Sequence, residues 1–197
     1  MKRALLFVAL GWPLVAVPQA TPEVQKVLQR DFQARGQATM DRVVQDGLQR
    51  VCTDTHDRPP SELARQLEAD QMKTIDFPPG SLIGDWKRGE RIAQGGRGLT
   101  WNDKPGAPAD GSCYNCHQLS PQEMSHGTLG PTLLKFGWMR GNGPEMQRYV
   151  YGKIYNAKAY NLCSQMPRLG HSGTLTPEQI KDLVGLLLDP ESPVNKQ

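Results

Sequence analysis

Cys113-Tyr114-Asn115-Cys116-His117 is the most informative segment of this 197-residue chain. The pattern C-x-x-C-H is typical of c-type haem attachment, in which two thiols bind the porphyrin and the next histidine binds the iron. A thioredoxin-like dithiol would lie in a strand–helix–strand context, and a zinc site would need a second C-x-x-C; the sequence offers neither. We therefore predict one covalent haem c per chain, held by Cys113 and Cys116, with His117 as an axial iron ligand.

The N-terminus has the pattern of an export signal. Met1-Lys2-Arg3 is followed by an apolar run from Ala4 to Val17 and by Pro18-Gln19-Ala20, which predicts a signal peptide over residues 1–20 and a periplasmic protein. An N-terminal membrane anchor is the alternative, although the run is too short to span a bilayer and no later segment qualifies.

The charge of the chain is close to neutral once this segment is removed. Loss of Lys2 and Arg3 lowers the net charge from +3 to +1 (3 − 2). A charge this small, without a basic run, argues against nucleic-acid binding.

Apolar residues recur at helical spacing along the rest of the chain, and no strand pattern is present. The sequence therefore predicts an all-α protein. Phe77-Pro78-Pro79-Gly80 marks a break, which predicts a helical N-terminal extension over 21–78, a haem domain over 79–190 and a tail over 191–197. Helices are predicted within 22–51 with a break at Gly36, from Ser61, from Gly84 to Ile92, over 144–156 and over 176–188.

Two capping boxes mark predicted helix starts. Thr176 and Gln179 begin the last helix, with Leu175 and Ile180 packing across its first turn. Ser120-Pro121-Gln122-Glu123 has the same pattern, which predicts a short helix after the haem histidine.

The sixth iron ligand is predicted to be Met166. It precedes Pro167, which favours extended backbone, and it lies 49 residues after His117 (166 − 117), far enough to cross the opposite face of the haem. A thioether opposite an imidazole raises the reduction potential and favours electron transfer. His171 is the second choice and would lower the potential. The other candidates are Met124, Met139, Met146 and His126.

Two further features bear on this site. Gly130-Pro131 offers a backbone carbonyl that can accept a hydrogen bond from Nδ1 of His117 and raise its basicity; an ordinary turn is the alternative. Cys52 and Cys163 are left as a pair, which predicts a disulfide in an oxidising compartment. Alternatively, Cys163 is a reactive thiol or a switchable iron ligand.

Several of these motifs together resemble a class I cytochrome c, a fold in which helices wrap round one haem and the first and last helices cross. They are the helix that follows Gly84-Asp85, the segment Cys113–His117, Gly130-Pro131, Met166-Pro167 and the terminal amphipathic helix. The segment from Tyr149 to Gly170 more narrowly resembles the SoxX family, the monohaem subunits of SoxAX cytochromes. The resemblance extends from about residue 80 to 188.

The resemblance implies a function. SoxAX is an L-cysteine S-thiosulfotransferase, which joins thiosulfate oxidatively to a cysteine of the SoxYZ carrier protein at a haem of the SoxA subunit. The SoxX subunit accepts electrons and passes them to a soluble cytochrome c. This chain would then form a heterodimer with a SoxA-type subunit, hold iron through His117 and Met166, and supply no catalytic residue. The alternatives are a free-standing periplasmic electron carrier and a haem enzyme or gas sensor with an open iron site.

Overall fold

The computed structural model describes residues 22–196, so the predicted signal peptide at 1–20 lies outside the described residues. Within that range the chain is helical and has no strand; its one β-type pairing is an isolated bridge between Arg35 and Ala38. The all-α prediction is confirmed. Among residues 22–196, the structure shows no helix with the length and apolar character of a membrane span.

The chain divides into two compact units between Gln33 and Ala34. The first contains helix α1, Pro22–Asp31. The predicted boundary between residues 78 and 79 falls inside the second unit and stays a prediction. The second unit contains α2 (Gly47–Asp54), α3 (Ser61–Met72), α4 (Trp86–Gln94), α5 (Phe136–Arg140), α6 (Pro144–Tyr155) and α7 (Pro177–Leu188), with 3-10 turns at Met40–Val43, Cys113–Asn115 and Ala157–Ala159.

Helix α4 packs closely against α7, and glycines make this approach possible. A Cβ on Gly89 of α4 would lie 2.1 Å from the carbonyl oxygen of Asp182, and one on Gly185 of α7 would lie 2.4 Å from the carbonyl oxygen of Gly84. Both distances are far below van der Waals contact, so a larger residue at either position would push the two helices apart.

A buried carboxylate fixes the same contact between α4 and α7. The side chain of Asp182 is 7% exposed. It accepts hydrogen bonds from Nε of Arg88 at 2.7 Å, from Nη2 of Arg88 at 2.8 Å and from the backbone N–H of Asp85 at 2.8 Å. Because a buried carboxylate needs several partners, this network ties the start of α4 to α7.

Helix α7 has the cap and the apolar face that the sequence predicts. The N–H of Gln179 donates to Oγ1 of Thr176 at 3.2 Å, and the N–H of Thr176 donates to Oε1 of Gln179 at 3.0 Å. Leu175 and Ile180 are both buried. Burial of each large apolar side chain contributes about 1.5–3 kcal/mol, and the predicted stripe consists of buried residues: Ile180, Leu183, Val184, Leu187 and Leu188.

The predicted helix after Ser120 is wrong. Oε2 of Glu123 does accept the N–H groups of Leu119 at 2.9 Å and Ser120 at 3.3 Å, but only a turn follows. The backbone after this turn is hydrogen-bonded to the C-x-x-C-H segment, since the N–H of Gly127 donates to the carbonyl of Tyr114 at 2.8 Å. These backbone groups are therefore not free to form a helix.

The predicted helical run over 22–51 is divided into separate pieces. Gly36 adopts a φ of +52°, which favours glycine, and confirms the predicted break. A second interruption precedes α2, where Asp46 and Gln49 form a capping box. The predicted helices near 61, 84–92 and 144–156 are present as α3, α4 and α6.

Candidate haem attachment site

The C-x-x-C-H motif forms a tight turn against α4. The N–H groups of Cys116 and His117 both donate to the carbonyl of Cys113, at 3.0 and 2.9 Å. Ser112 just before it has left-handed backbone, with φ +48°, and its N–H and Oγ both donate to the carbonyl of Gly95, at 3.0 and 2.9 Å. These bonds hold the turn at the end of α4.

Both cysteines of the motif carry free thiols. Cys113 packs against the main hydrophobic core, and burial raises the pKa of its thiol to about 12. Because the thiolate is the nucleophilic form of cysteine, this burial favours the protonated thiol.

The side chain of His117 is oriented by a backbone carbonyl. Its Nδ1 lies 2.7 Å from the carbonyl oxygen of Pro131. A carbonyl oxygen only accepts hydrogen bonds, so Nδ1 carries the proton and Nε2 keeps its lone pair. The predicted hydrogen bond from Nδ1 of His117 to a carbonyl of the Gly130-Pro131 segment is confirmed, and it leaves Nε2 as the atom that can bind a metal.

Gly130 provides the space in which the His117 ring lies. A Cβ on Gly130 would lie 2.2 Å from Cε1, 2.5 Å from Nδ1 and 2.7 Å from Nε2 of His117. The N–H of Gly130 donates to the carbonyl of Cys116 at 2.8 Å, so the loop cannot move away without losing this bond. The ring is therefore confined by the backbone on one side.

Met166 lies in a non-helical segment, residues 161–170, which we call the Met166 strap. It is half-buried and packs against the same core as Cys113. Its N–H donates to Oγ of Ser164 at 3.2 Å. This placement is compatible with the ligand role that the sequence predicts, which stays a prediction.

The other candidate ligands differ in their surroundings. Met124 and Met139 are exposed, at 103% and 58%. Met146 lies within α6 and packs against the core, whereas His171 is exposed. The ring of His126 is half-buried, with Nδ1 3.2 Å from the carbonyl oxygen of Gly127.

Cys52 of α2 and Cys163 of the Met166 strap form a disulfide, with Cα atoms 5.5 Å apart and a sequence separation of 111 positions. Cys163 lies three residues before Met166 (166 − 163). Two further contacts hold the strap, and the sequence did not predict them. Arg168 pairs with Asp46, and the N–H of Leu162 donates to Glu68.

Helix α4 packs against α7, and the C-x-x-C-H turn packs beside α4; this arrangement is consistent with the class I cytochrome c fold that the sequence predicts. No protein-family model matches the chain. The chain is 37% identical over 155 residues to an uncharacterized lipoprotein of Aquifex aeolicus (strain VF5). The aligned region covers 77% of this chain and 73% of that relative. The chain belongs to the same family as that protein. Among solved structures it is similar to the crystal structure of SoxXA from P. pantotrophus, at 22% identity and a TM-score of 0.43, over 60% of this chain and 90% of that one.

Proposed function

We propose that this chain is an exported electron-transfer protein that binds one haem c through Cys113 and Cys116, with His117 and Met166 as axial ligands. The hydrogen bond from Nδ1 of His117 to the carbonyl of Pro131 carries the proposal, because it leaves the lone pair of Nε2 for the iron. When bound, the haem supplies a one-electron iron couple.

The residues around the motif fit such a group. Two free thiols and one oriented imidazole lie within five positions. A set of half-buried apolar side chains packs against the same core as Cys113 and could shield a porphyrin from water: Ile83, Leu133, Phe136, Met146, Tyr155 and Met166.

The ligand pair determines the kind of chemistry. If His117 and Met166 both held the iron, no coordination position would be left for oxygen or peroxide. The soft, neutral sulfur of Met166 would stabilise ferrous iron and raise the reduction potential. His117 and Met166 would therefore favour electron transfer over reactions of oxygen or peroxide at the iron.

The test of this proposal uses the purified native holoprotein. We expect the mass of one haem to remain attached after denaturation, a charge-transfer band from Met–Fe(III), and no rapid binding of carbon monoxide. A chain without attached haem contradicts the proposal. Rapid carbon monoxide binding would instead favour a haem enzyme or sensor with an open iron.

We further propose that the chain is the electron-accepting subunit of a thiosulfate-oxidising complex, an L-cysteine S-thiosulfotransferase of SoxAX type. The resemblance of the segment Tyr149–Gly170 to the SoxX family supports this. In the reaction, an S–S bond forms between thiosulfate and a carrier cysteine, and one proton and two electrons leave. A haem carries one electron at a time, so the two electrons must divide between centres or steps.

The partners follow from this second proposal: a SoxA-type cytochrome, the SoxYZ carrier as substrate, and a soluble cytochrome c as acceptor. The predicted signal peptide and the name of the Aquifex relative, a lipoprotein, both support export to the periplasm. Pull-down of native holoprotein, followed by haem counting in the complex, tests the assignment. Isolation only as a monomer with one haem favours a free-standing electron carrier instead.

A further inference from the structure

We propose that residues 46–74 act as a clamp that holds the Met166 strap in place for iron coordination, and that Glu68 is a positioning residue of this clamp. The inference rests on the proposed function, because it takes Met166 as the iron ligand. It assigns to this N-terminal segment a role in coordination.

The first contact of the clamp lies before Met166. Glu68 belongs to α3, and its Oε1 accepts the backbone N–H of Leu162 at 2.8 Å across 94 residues of sequence. Leu162 is 1% exposed, so its N–H has no access to bulk water and needs a partner. The carbonyl of the same residue accepts Nζ of the buried Lys158 at 2.8 Å. Both backbone polar groups of Leu162 are thus fixed by side chains.

The segment that leads into the strap is fixed by the same helix. Asn156 is fully buried. Its Nδ2 donates to Oε1 of Gln71, in the last turn of α3, and to Oγ1 of Thr74, both at 3.0 Å. Its Oδ1 accepts the N–H of Lys158 at 3.2 Å. A buried amide with these partners fixes the backbone from which the strap begins.

The remaining contacts lie on both sides of Met166. The Cys52–Cys163 disulfide attaches the strap to α2 three residues before the methionine. Arg168, two residues after it, forms an ion pair with Asp46, and the arginine side chain is 18% exposed. Asp46 also caps α2 by accepting the N–H of Gln49 at 2.8 Å, so the pair connects the strap to a fixed helix end.

These contacts matter because a thioether is a weak, neutral ligand. Whether it occupies the iron depends on its effective concentration there, which falls when the segment that carries it moves freely. Among residues 22–196, the backbone N–H of Met166 donates only to the nearby Oγ of Ser164. The position of its sulfur is therefore set by the anchors at Leu162, Cys163 and Arg168.

The experiment compares variants of the holoprotein. Glu68→Ala removes the acceptor, and Glu68→Gln keeps an oxygen at the same place. Glu62→Ala changes an 82% exposed carboxylate of the same helix and is the matched control. The readouts are the intensity of the Met–Fe(III) band and the fraction of ferrous iron open to carbon monoxide. A purely structural role for Glu68 would not move either readout.

We expect Glu68→Ala to weaken the band and to raise the open fraction roughly tenfold, the equilibrium change that follows from losing one hydrogen bond to a charged acceptor. Glu68→Gln and Glu62→Ala should stay close to the wild type. A Cys52→Ala/Cys163→Ala double variant should show the same loss as Glu68→Ala, and it carries the test if Glu68→Ala does not fold.

The results separate the clamp from the function on which it rests. An unchanged band and unchanged carbon monoxide binding in the folded variants, with a normal wild-type band, overturn the clamp alone. A wild-type holoprotein that lacks the Met–Fe(III) band overturns the ligand assignment itself, and the clamp with it.

Discussion

A methyl group at residue 130 provides the sharpest test of how His117 is held. In Gly130→Ala, the new Cβ would lie 2.2–2.7 Å from three atoms of the imidazole, a separation that no packed structure tolerates. The ring must turn away, and its 2.7 Å hydrogen bond to the Pro131 carbonyl is lost. Overpacking costs about 1–3 kcal/mol and the lost hydrogen bond about 0.5–1.5 kcal/mol, so we expect about 2–4 kcal/mol in the free energy of unfolding.

Thermal unfolding of the holoprotein, followed by circular dichroism, measures this change. For a chain of this size the loss corresponds to a decrease in Tm of roughly 5–15 °C. Gly47→Ala is the matched control, because a Cβ there meets nothing within 4 Å and lies at the start of α2, where alanine is tolerated. The reduction potential should also rise, since an imidazole that no longer donates is a less basic ligand. A Gly130→Ala protein within 0.5 kcal/mol of the wild type, about the effect expected of a neutral surface substitution, would refute the reasoning.

Three further predictions use other parts of the molecule. Met166→Ala should abolish the Met–Fe(III) band and lower the reduction potential, whereas Met124→Ala, at a fully exposed side chain, should change neither; an unchanged spectrum would move the ligand to another residue. Asp182→Ala should lower the free energy of unfolding in urea by about 2–4 kcal/mol, because it leaves several donors without their acceptor; a cost below that of an exposed ion pair would contradict the network. Burial raises the pKa of the Asp46 carboxyl. The hydrogen bond from the N–H of Gln49 and the positive charge of Arg168 together lower it by more, so the net pKa lies below its usual value. Its stabilisation should therefore be complete above pH of about 4 and disappear as the pH falls through the lower folded value; unfolding from pH 6 to 2, compared with Asp46→Asn, measures this, and a difference that persists at pH 2 would argue against it.

The sequence predicted a helix correctly where a capping pattern coincides with apolar burial. Thr176 and Ser120 begin the same capping pattern, yet only the first starts a helix. Eight of the twelve residues of α7 are buried, and short helices depend on such burial. After Ser120 the apolar side chains of Met124 and Leu129 are exposed, so no packing supports a helix there. The difference lies in tertiary contacts, which a capping pattern does not report.

Other features of the structure have a sequence pattern that did not lead to a prediction. Asp46 and Gln49 have the spacing of a capping box, which marks the start of α2 inside the segment predicted as a helical run with one break. The contact between Glu68 and Leu162 belongs to a different class, because it joins residues 94 positions apart and no local pattern indicates it. The prediction of a carbonyl acceptor beside His117 was correct because the Gly-Pro pair itself constrains the backbone.

The partner of His117 is a main-chain oxygen, and this has a consequence for how the protein can vary. If the side chain of an aspartate or asparagine accepted this hydrogen bond, a single substitution could remove it. The basicity of the imidazole would then change. The carbonyl of Pro131 belongs to the peptide link and survives every replacement of the side chain. Changing the electronic character of His117 would therefore require a different loop backbone, whereas Met166, the proposed second ligand, can be replaced by a single substitution.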